Sequence, residues 1–350
     1  MSYAYSPRLK APDKSIDVNM EKPAVVRMMK ALCRAKEKDI TPEWMAKRGV
    51  VLEKKEYPGK DGTMLPVFVI SPVSQDVGEQ RENRTGDSAG QNALGNLPEK
   101  AGKNLPEKAQ EHLPGMVYLH GGAYALPVQQ PALELAAVYA RELGAKVFVP
   151  EYRLLPEYSG RVIFEDCLAL WEQLSDSGWA QGNAWDEALD GERLLLYGES
   201  AGGALAAGLA LYLRDRQQKL PRGMFLIYPV LDTDDGYASK SAYAEAAWSQ
   251  RSNASMWKTY LGGADTDWLN YLVPMKHPDV TGLPSAYIEP QEFDILRDEA
   301  QTFGKRLTEA GIPCRVNLIG GSYHSFDMDL SNSFVQEVVA ERVAEMKKYL

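Results

Sequence analysis

The sequence predicts an α/β fold: a mostly parallel sheet with helices packed on both faces. Two observations carry this expectation. From Met116 onward, short apolar strand-like runs alternate with helical runs, the pattern of strands joined by crossover helices. Within that pattern an apolar run, Arg193 to Tyr197, meets an Ala/Leu-rich helical run at the polar stretch Gly198-Glu199-Ser200-Ala201-Gly202-Gly203.

The bulk properties set the frame. A chain of 350 residues, 45% hydrophobic and 25% charged, has the composition of a soluble globular protein and can bury a sizeable core. A formal net charge of −9 argues against a nucleic-acid partner, which asks for a clustered basic face. No apolar run is long enough to predict a membrane span. The polar N-terminus has no apolar signal core, so the expected location is cytoplasmic. The cysteines Cys33, Cys167 and Cys314 are odd in number and far apart, which predicts neither a disulfide framework nor a metal site.

In chain order, Lys22 to Lys36 reads as a helix, with Val25, Val26, Met28, Met29, Leu32 and Cys33 on one broad face. Val50 to Glu56 and Thr63 to Ser71 read as strands joined by the turn "PGKDG". Residues 74–115 are polar, poor in aromatics and carry "NLPEKA" twice; they read as a surface insertion. Strands then follow at Met116 to Leu119, Lys146 to Glu151, Arg193 to Tyr197, Met224 to Tyr228, Ser285 to Glu289 and Arg315 to Ile319. Helices read at Ala132 to Leu143, Ile163 to Leu174, Ala201 to Arg216, Asp298 to Ala310 and Ser333 to Tyr349. Residues 234–275, helical in tendency and rich in aromatics, interrupt the alternation as an excursion from the sheet.

The glycines around Ser200 have a chemical reading. A G-x-S-x-G turn at the end of a strand lifts its serine hydroxyl above the sheet, and the N-terminus of the next helix offers free N–H groups there. Serine needs a base, and the base needs an orienting acid. Of four histidines, His112 lies in the insertion, His277 follows the excursion, and His120 opens "HGGA". His324, just after the last strand-like run, falls at the sheet edge that holds Ser200, so it is the candidate base. The acid is expected between serine and histidine, in "EPQEFDILRDEA". Asp294, in the loop after the strand, is the first candidate and Asp298 the alternative. Gly121, Gly122 and Ala201 are the candidate backbone donors for an oxyanion.

Five motifs now stand in one order: "HGGA" at His120, "EYRLLPE" at Glu151, "GESAGG" at Gly198, "EFDILRDE" at Glu292 and "YHSF" at Tyr323. In order and spacing the chain from Val50 to Leu350 resembles the hormone-sensitive-lipase-like esterases, an α/β-hydrolase family that includes bacterial acetyl esterases and arylacetamide deacetylases. The resemblance implies an α/β-hydrolase fold with an eight-stranded sheet and a triad of Ser200, Asp294 and His324. It implies a catalytic domain over residues 49–350 and a helical cap from residues 1–48 and 234–275, with His120 bracing its loop. A serine carboxylesterase for short-chain acyl esters is the implied activity, acting on a small-molecule ester with no metal and no cofactor, as a monomer or a homo-oligomer. Trp248, Met256 and Trp257 are the expected walls of a small acyl pocket; the alternative is that they pack the cap onto the body. Three features depart from the family pattern: the insertion, Ala123 where a third glycine is usual, and Glu199 before the nucleophile. Ala123 is acceptable if its φ stays negative, and Glu199 is expected to be a structural anchor. The rival functions are an amidase or peptidase on the same triad, and a ligand-binding module on a retired hydrolase fold.

Overall fold

The computed structural model describes residues 3–12, 15–36, 40–73, 112–175, 186, 188–262 and 266–350. The "NLPEKA" repeat and most of the expected insertion lie outside these residues. The chain begins with helices α1 (Pro23–Lys36) and α2 (Pro42–Ala46), then forms β1 (Val50–Pro58) and β2 (Met64–Pro72). The turn between them closes through Gly59 N–H to Thr63 O at 2.8 Å, with Gly62 at φ +80°. Next come β3 (Leu113–Leu119), α3 (Gln130–Leu143), β4 (Lys146–Pro150), α4 (Gly160–Ser175), β5 (Leu189–Glu199), α5 (Ala201–Asp215) and β6 (Gly223–Ile227). The expected excursion follows as α6 (Ala238–Ala242), α7 (Gln250–Tyr260) and α8 (Thr266–Leu272). The chain ends with β7 (Ala286–Glu289), β8 (Gln291–Phe293), α9 (Arg297–Glu309), β9 (Cys314–Val316), β10 (Ile319–Tyr323) and α10 (Ser333–Met346).

Eight strands form one sheet in the order β1-β2-β4-β3-β5-β6-β7-β9. The pairs β1/β2 and β2/β4 are antiparallel, and every later pair is parallel. The central strands are apolar throughout because both faces are covered. Their period of two separates two cores. Val117, Leu119, Leu194, Leu196, Met224 and Leu226 meet α4, α5 and α9 on one face. Met116, Tyr118, Leu195, Tyr197, Phe225 and Ile227 meet α3 and α10 on the other. Helix α3 stops at Gly144, whose left-handed backbone (φ +61°) donates to Ala140 O.

Strand β5 begins at Leu189, before the expected Arg193, and two further boundaries change in ways that bear on pairing. Leu113 to Gly115, read as the tail of the insertion, pair with β5 and belong to β3. The run Arg315 to Ile319 is not one strand: β9 ends at Val316, and Ile319 opens β10, which pairs with β8 in a separate parallel two-stranded sheet. The break follows from pairing. Asn317 N–H still bonds Ile288 O on β7, whereas Ile319 N–H bonds Pro290 O, at the point where the segment after β7 leaves the main sheet.

Candidate active site

Ser200 sits between β5 and α5 with φ +52° and ψ −119°, a region that costs a non-glycine residue about 1–2 kcal/mol. Close backbone packing holds it there. A Cβ on Gly198 would fall on the Gly202 carbonyl, one on Gly202 on the Leu119 carbonyl, and one on Gly203 would lie 2.5 Å from Pro229 Cβ. The Ser200 N–H bonds Ile227 O at 2.9 Å, and its carbonyl accepts from Gly203 and Val230. The glycines are thus required by contact, and the strain of the turn is borne by the two strands and the helix that meet there.

Ser200 Oγ lies 3.0 Å from His324 Nε2, and His324 Nδ1 lies 2.7 Å from Asp294 Oδ2. A carboxylate can only accept, so His324 carries its proton on Nδ1 and presents a lone pair to the serine hydroxyl. His324 follows β10, with Ser325 in the left-handed region at φ +59° turning the chain back. Asp294 follows β8, and its second oxygen accepts from Leu296 N–H at 3.1 Å. The two-stranded sheet, absent from the sequence expectation, is what sets these two side chains next to each other. The other acids of that segment are committed elsewhere. Glu289 pairs with the buried Arg342, Glu292 accepts from Gly321 N–H at 2.6 Å, and Asp298 accepts from Ser239 N–H at 2.8 Å. Glu299 is buried against Lys240 at 2.9 Å. Asp298 therefore does not reach His324 as the alternative acid. His277, likewise, pairs with Asp215 Oδ2 at 3.0 Å.

The loop after β3 corrects the expected donor set. Gly121 N–H already donates to Glu199 Oε1 at 3.2 Å, so it is not free to meet an oxyanion. Among the described residues no acceptor takes the N–H of Gly122 or Ala123, and that of Ala201 is the first of helix α5. Ala123 has φ +56°, against the expected negative value, and Tyr124 follows at φ +57°. Two consecutive left-handed non-glycine residues need support. Tyr152 donates to His120 O at 2.6 Å and stacks on its ring at 4.2 Å, His120 Nδ1 bonds Gly121 O at 2.7 Å, and Leu155 N–H bonds Tyr124 O at 2.9 Å. The "EYRLLPE" segment is thus the brace of this loop. Burial lowers the His120 pKa to about 4, so the ring is neutral at ordinary pH. Glu199 joins the two turns, with Oε2 accepting from Tyr118 at 2.6 Å. Burial first, and the nearby Asp327 charge second, push its carboxyl up to about 7.

A family model for the alpha/beta hydrolase fold matches residues 116–328. The chain belongs to this family. Its relatives agree with the hormone-sensitive-lipase-like resemblance. An acetyl-hydrolase of Streptomyces hygroscopicus is 31% identical over 200 residues, covering 57% of this chain and 63% of that protein. An arylesterase of Saccharolobus solfataricus is 26% identical over 213 residues, covering 60% and 67%. These alignments reach at most about two thirds of the curated relatives' lengths. Among solved structures, a bacterial heroin esterase superposes with a TM-score of 0.76 at 25% identity, covering 99% of this chain and 98% of that one. The esterase LipW of Mycobacterium marinum, at 23% identity and a TM-score of 0.74, shares the fold.

In this α/β-hydrolase a cavity of about 190 Å³ opens at Ser200. Trp248 lines it and stacks on His324 at 6.2 Å. Met256 and Trp257 do not, which corrects the expected pocket. Both lie on the buried face of α7, where Met256 is fully enclosed in the core and the Trp257 ring meets Tyr260. The opposing wall comes from the N-terminal segment instead: Ile16, Met20 and Met29. Residues 16–20 run along α7 and are held by its serines. Val18 N–H bonds Ser252 Oγ at 2.7 Å, Met20 N–H bonds Ser255 Oγ at 3.0 Å, and Ile16 N–H bonds Ala247 O at 2.7 Å. The sequence trace of this contact is a set of serines three apart, Ser249, Ser252 and Ser255. Among the described residues, no Lys or Arg lines the cavity, no group of three or more His, Cys, Asp or Glu is set to share a metal ion, and no helix is long and apolar enough to cross a membrane.

Proposed function

We propose that the protein is a serine carboxylesterase for short-chain acyl esters, acting through an acyl-enzyme on Ser200. The observation that carries this is the unbroken chain Ser200 Oγ, His324, Asp294 at 3.0 and 2.7 Å, opening onto a small cavity. As Ser200 Oγ attacks the ester carbonyl, its proton passes to His324 Nε2, and the imidazolium that forms is stabilised by Asp294. The carbonyl oxygen, now negative, accepts from the N–H groups of Gly122, Ala123 and Ala201; losing one such donor costs about 10²–10³ in turnover. His324 then protonates the leaving alcohol, and a water activated by the same ring releases the acid.

The size of the cavity, its apolar walls of Met20, Met29 and Leu135, and a lining with the acidic Asp327 and no Lys or Arg among the described residues support small uncharged acyl groups. Residues 1–48 and 234–275 are read as the two parts of a cap over a hydrolase domain of residues 49–350. The names of the acetyl-hydrolase and esterase relatives agree with this substrate class. The test is p-nitrophenyl acetate hydrolysis by Ser200→Ala, expected to fall by several orders of magnitude with the fold intact; turnover like wild type overturns the reading. Matched anilide substrates separate an esterase from an amidase, and a chain-length series peaking at long acyl groups removes the short-chain preference.

A further inference from the structure

We propose that Tyr260 is a positioning residue for the oxyanion loop: its ring, stacked face to face on Tyr124, holds the left-handed pair Ala123 and Tyr124 that aims the Gly122 and Ala123 N–H groups. The inference rests on the esterase reading above and adds to it a residue on a distant helix that acts through another side chain.

The stack is close and nearly parallel, with ring centroids 3.8 Å apart and planes 12° apart. Both side chains are buried, and neither phenol oxygen has a hydrogen-bond partner among the described residues. The contact is therefore made by the ring faces, and the hydroxyls add nothing to it. Tyr260 cannot retreat. A Cβ on Gly160 would lie 2.6 Å from the Tyr260 carbonyl oxygen and 2.8 Å from its ring, so α4 begins directly against it, and the edge of Trp257 meets it at 5.9 Å.

On the other side of the stack, the Tyr124 carbonyl accepts from Leu155 N–H at 2.9 Å, and the turn is closed across Ala123 and Tyr124 by Gly122 O, which accepts from Ala125 N–H at 2.9 Å and Leu126 N–H at 3.0 Å. These bonds hold the ends of the turn. The pair between them stays strained, and a bulky side chain at φ +57° gains energy by relaxing to negative φ. Such a relaxation turns the Ala123–Tyr124 peptide and carries Ala123 with it. The ring clamped between Tyr260 and the loop opposes this turn. Because α7 also pins residues 16–20, one helix sets both a wall of the substrate cavity and the aim of the oxyanion donors.

The test uses the full chain with Tyr260→Phe, Tyr260→Leu and Tyr260→Ala. Active sites are counted with a fluorophosphonate, and kcat and KM for p-nitrophenyl acetate are expressed per labelled site. Affinity for a trifluoromethyl ketone, which forms a tetrahedral adduct on a reactive serine, is measured alongside. Loss of the ring is expected to lower kcat on the order of tenfold or more with KM changed less than about twofold, since only transition-state contacts move. Ketone affinity falls in parallel with kcat/KM, and Tyr260→Phe stays within about twofold of wild type. Where Tyr260→Ala does not fold, Tyr260→Leu, which keeps most of the volume without a ring face, carries the test. Full kcat per labelled site in Tyr260→Leu, or a loss in Tyr260→Phe equal to that in Tyr260→Leu, overturns the inference. A wild-type chain that takes no fluorophosphonate at Ser200 removes the esterase reading and this inference with it.

Discussion

Two strained turns meet over the end of the sheet, and they are held in opposite ways. The turn at Ser200 is kept by backbone on backbone. Gly198, Gly202 and Gly203 let the neighbouring chains approach so closely that no side chain fits between them, and the strained φ of +52° has nowhere to relax. The turn at Ala123 and Tyr124 has a single tight glycine, Gly122, whose carbonyl closes it by accepting from Ala125 and Leu126 N–H. The rest of its support comes from side chains elsewhere: the Tyr152 ring and hydroxyl on His120, the Tyr260 ring on Tyr124, the Glu199 carboxylate on Gly121. The first turn is dominated by backbone exclusion, so it tolerates no change in size. The second draws its support from residues up to more than a hundred positions away, so it weakens in steps as each support is removed.

The comparison can be broken first at the glycines. Gly202→Ala puts a methyl group onto the Leu119 carbonyl, where neither strand β3 nor helix α5 can yield. The expected outcome is a loss of more than about 4 kcal/mol, seen as failure to fold or as a large drop in the denaturation midpoint. A stable, active Gly202→Ala chain refutes the account of the first turn.

A smaller effect is expected at the tie between the turns. Glu199 has its folded pKa raised to about 7, above the ordinary value of 4.5, so the folded state holds this proton more tightly than the unfolded chain. Its contribution to stability is therefore present below pH about 4.5 and is lost as pH rises through about 7, the region over which the buried carboxylate must ionise. Glu199→Gln stays neutral and still offers an oxygen to Gly121 N–H. The variant should match wild type near pH 5 and gain about 1–3 kcal/mol on it by pH 8, read from paired thermal or urea melts. A pH-independent difference between the two chains removes the ionisation of Glu199 as its cause.

The smallest effect belongs to a single brace of the second turn. Tyr152→Phe keeps the ring stack on His120 but removes the 2.6 Å bond to its buried carbonyl. A stability loss of about 1 kcal/mol and a fall in kcat of a few-fold are expected, with KM little changed. Abolition of activity by this one hydroxyl shows instead that the loop has no shared support, and the contrast between the turns fails.

What the chain discloses from its residues follows the same division. The α/β alternation, the covered sheet and the strand-to-helix turn at Ser200 were legible because each is written in neighbouring residues: periods of two and of 3.6, and glycines where backbones collide. His324 and Asp294 were legible by position, since loops at one end of parallel strands converge whatever their sequence distance. Gly121 was misjudged because a free N–H and one already claimed by Glu199 look the same in sequence. For Met256 and Trp257 the packing alternative held and the pocket reading did not, because α7 carries these side chains toward the core, while residues 16–20, signalled in the sequence only by the serines that bind them, supply the cavity wall. The sequence by itself determined the layers, the three side chains that the site brings together and the sharp bend beneath them. Only the tertiary structure decided which amides are left unpaired, which chain segment walls the cavity and which ring rests on Tyr124. Those depend on contacts between residues far apart along the chain, and a contact of that kind leaves no periodic mark on either partner.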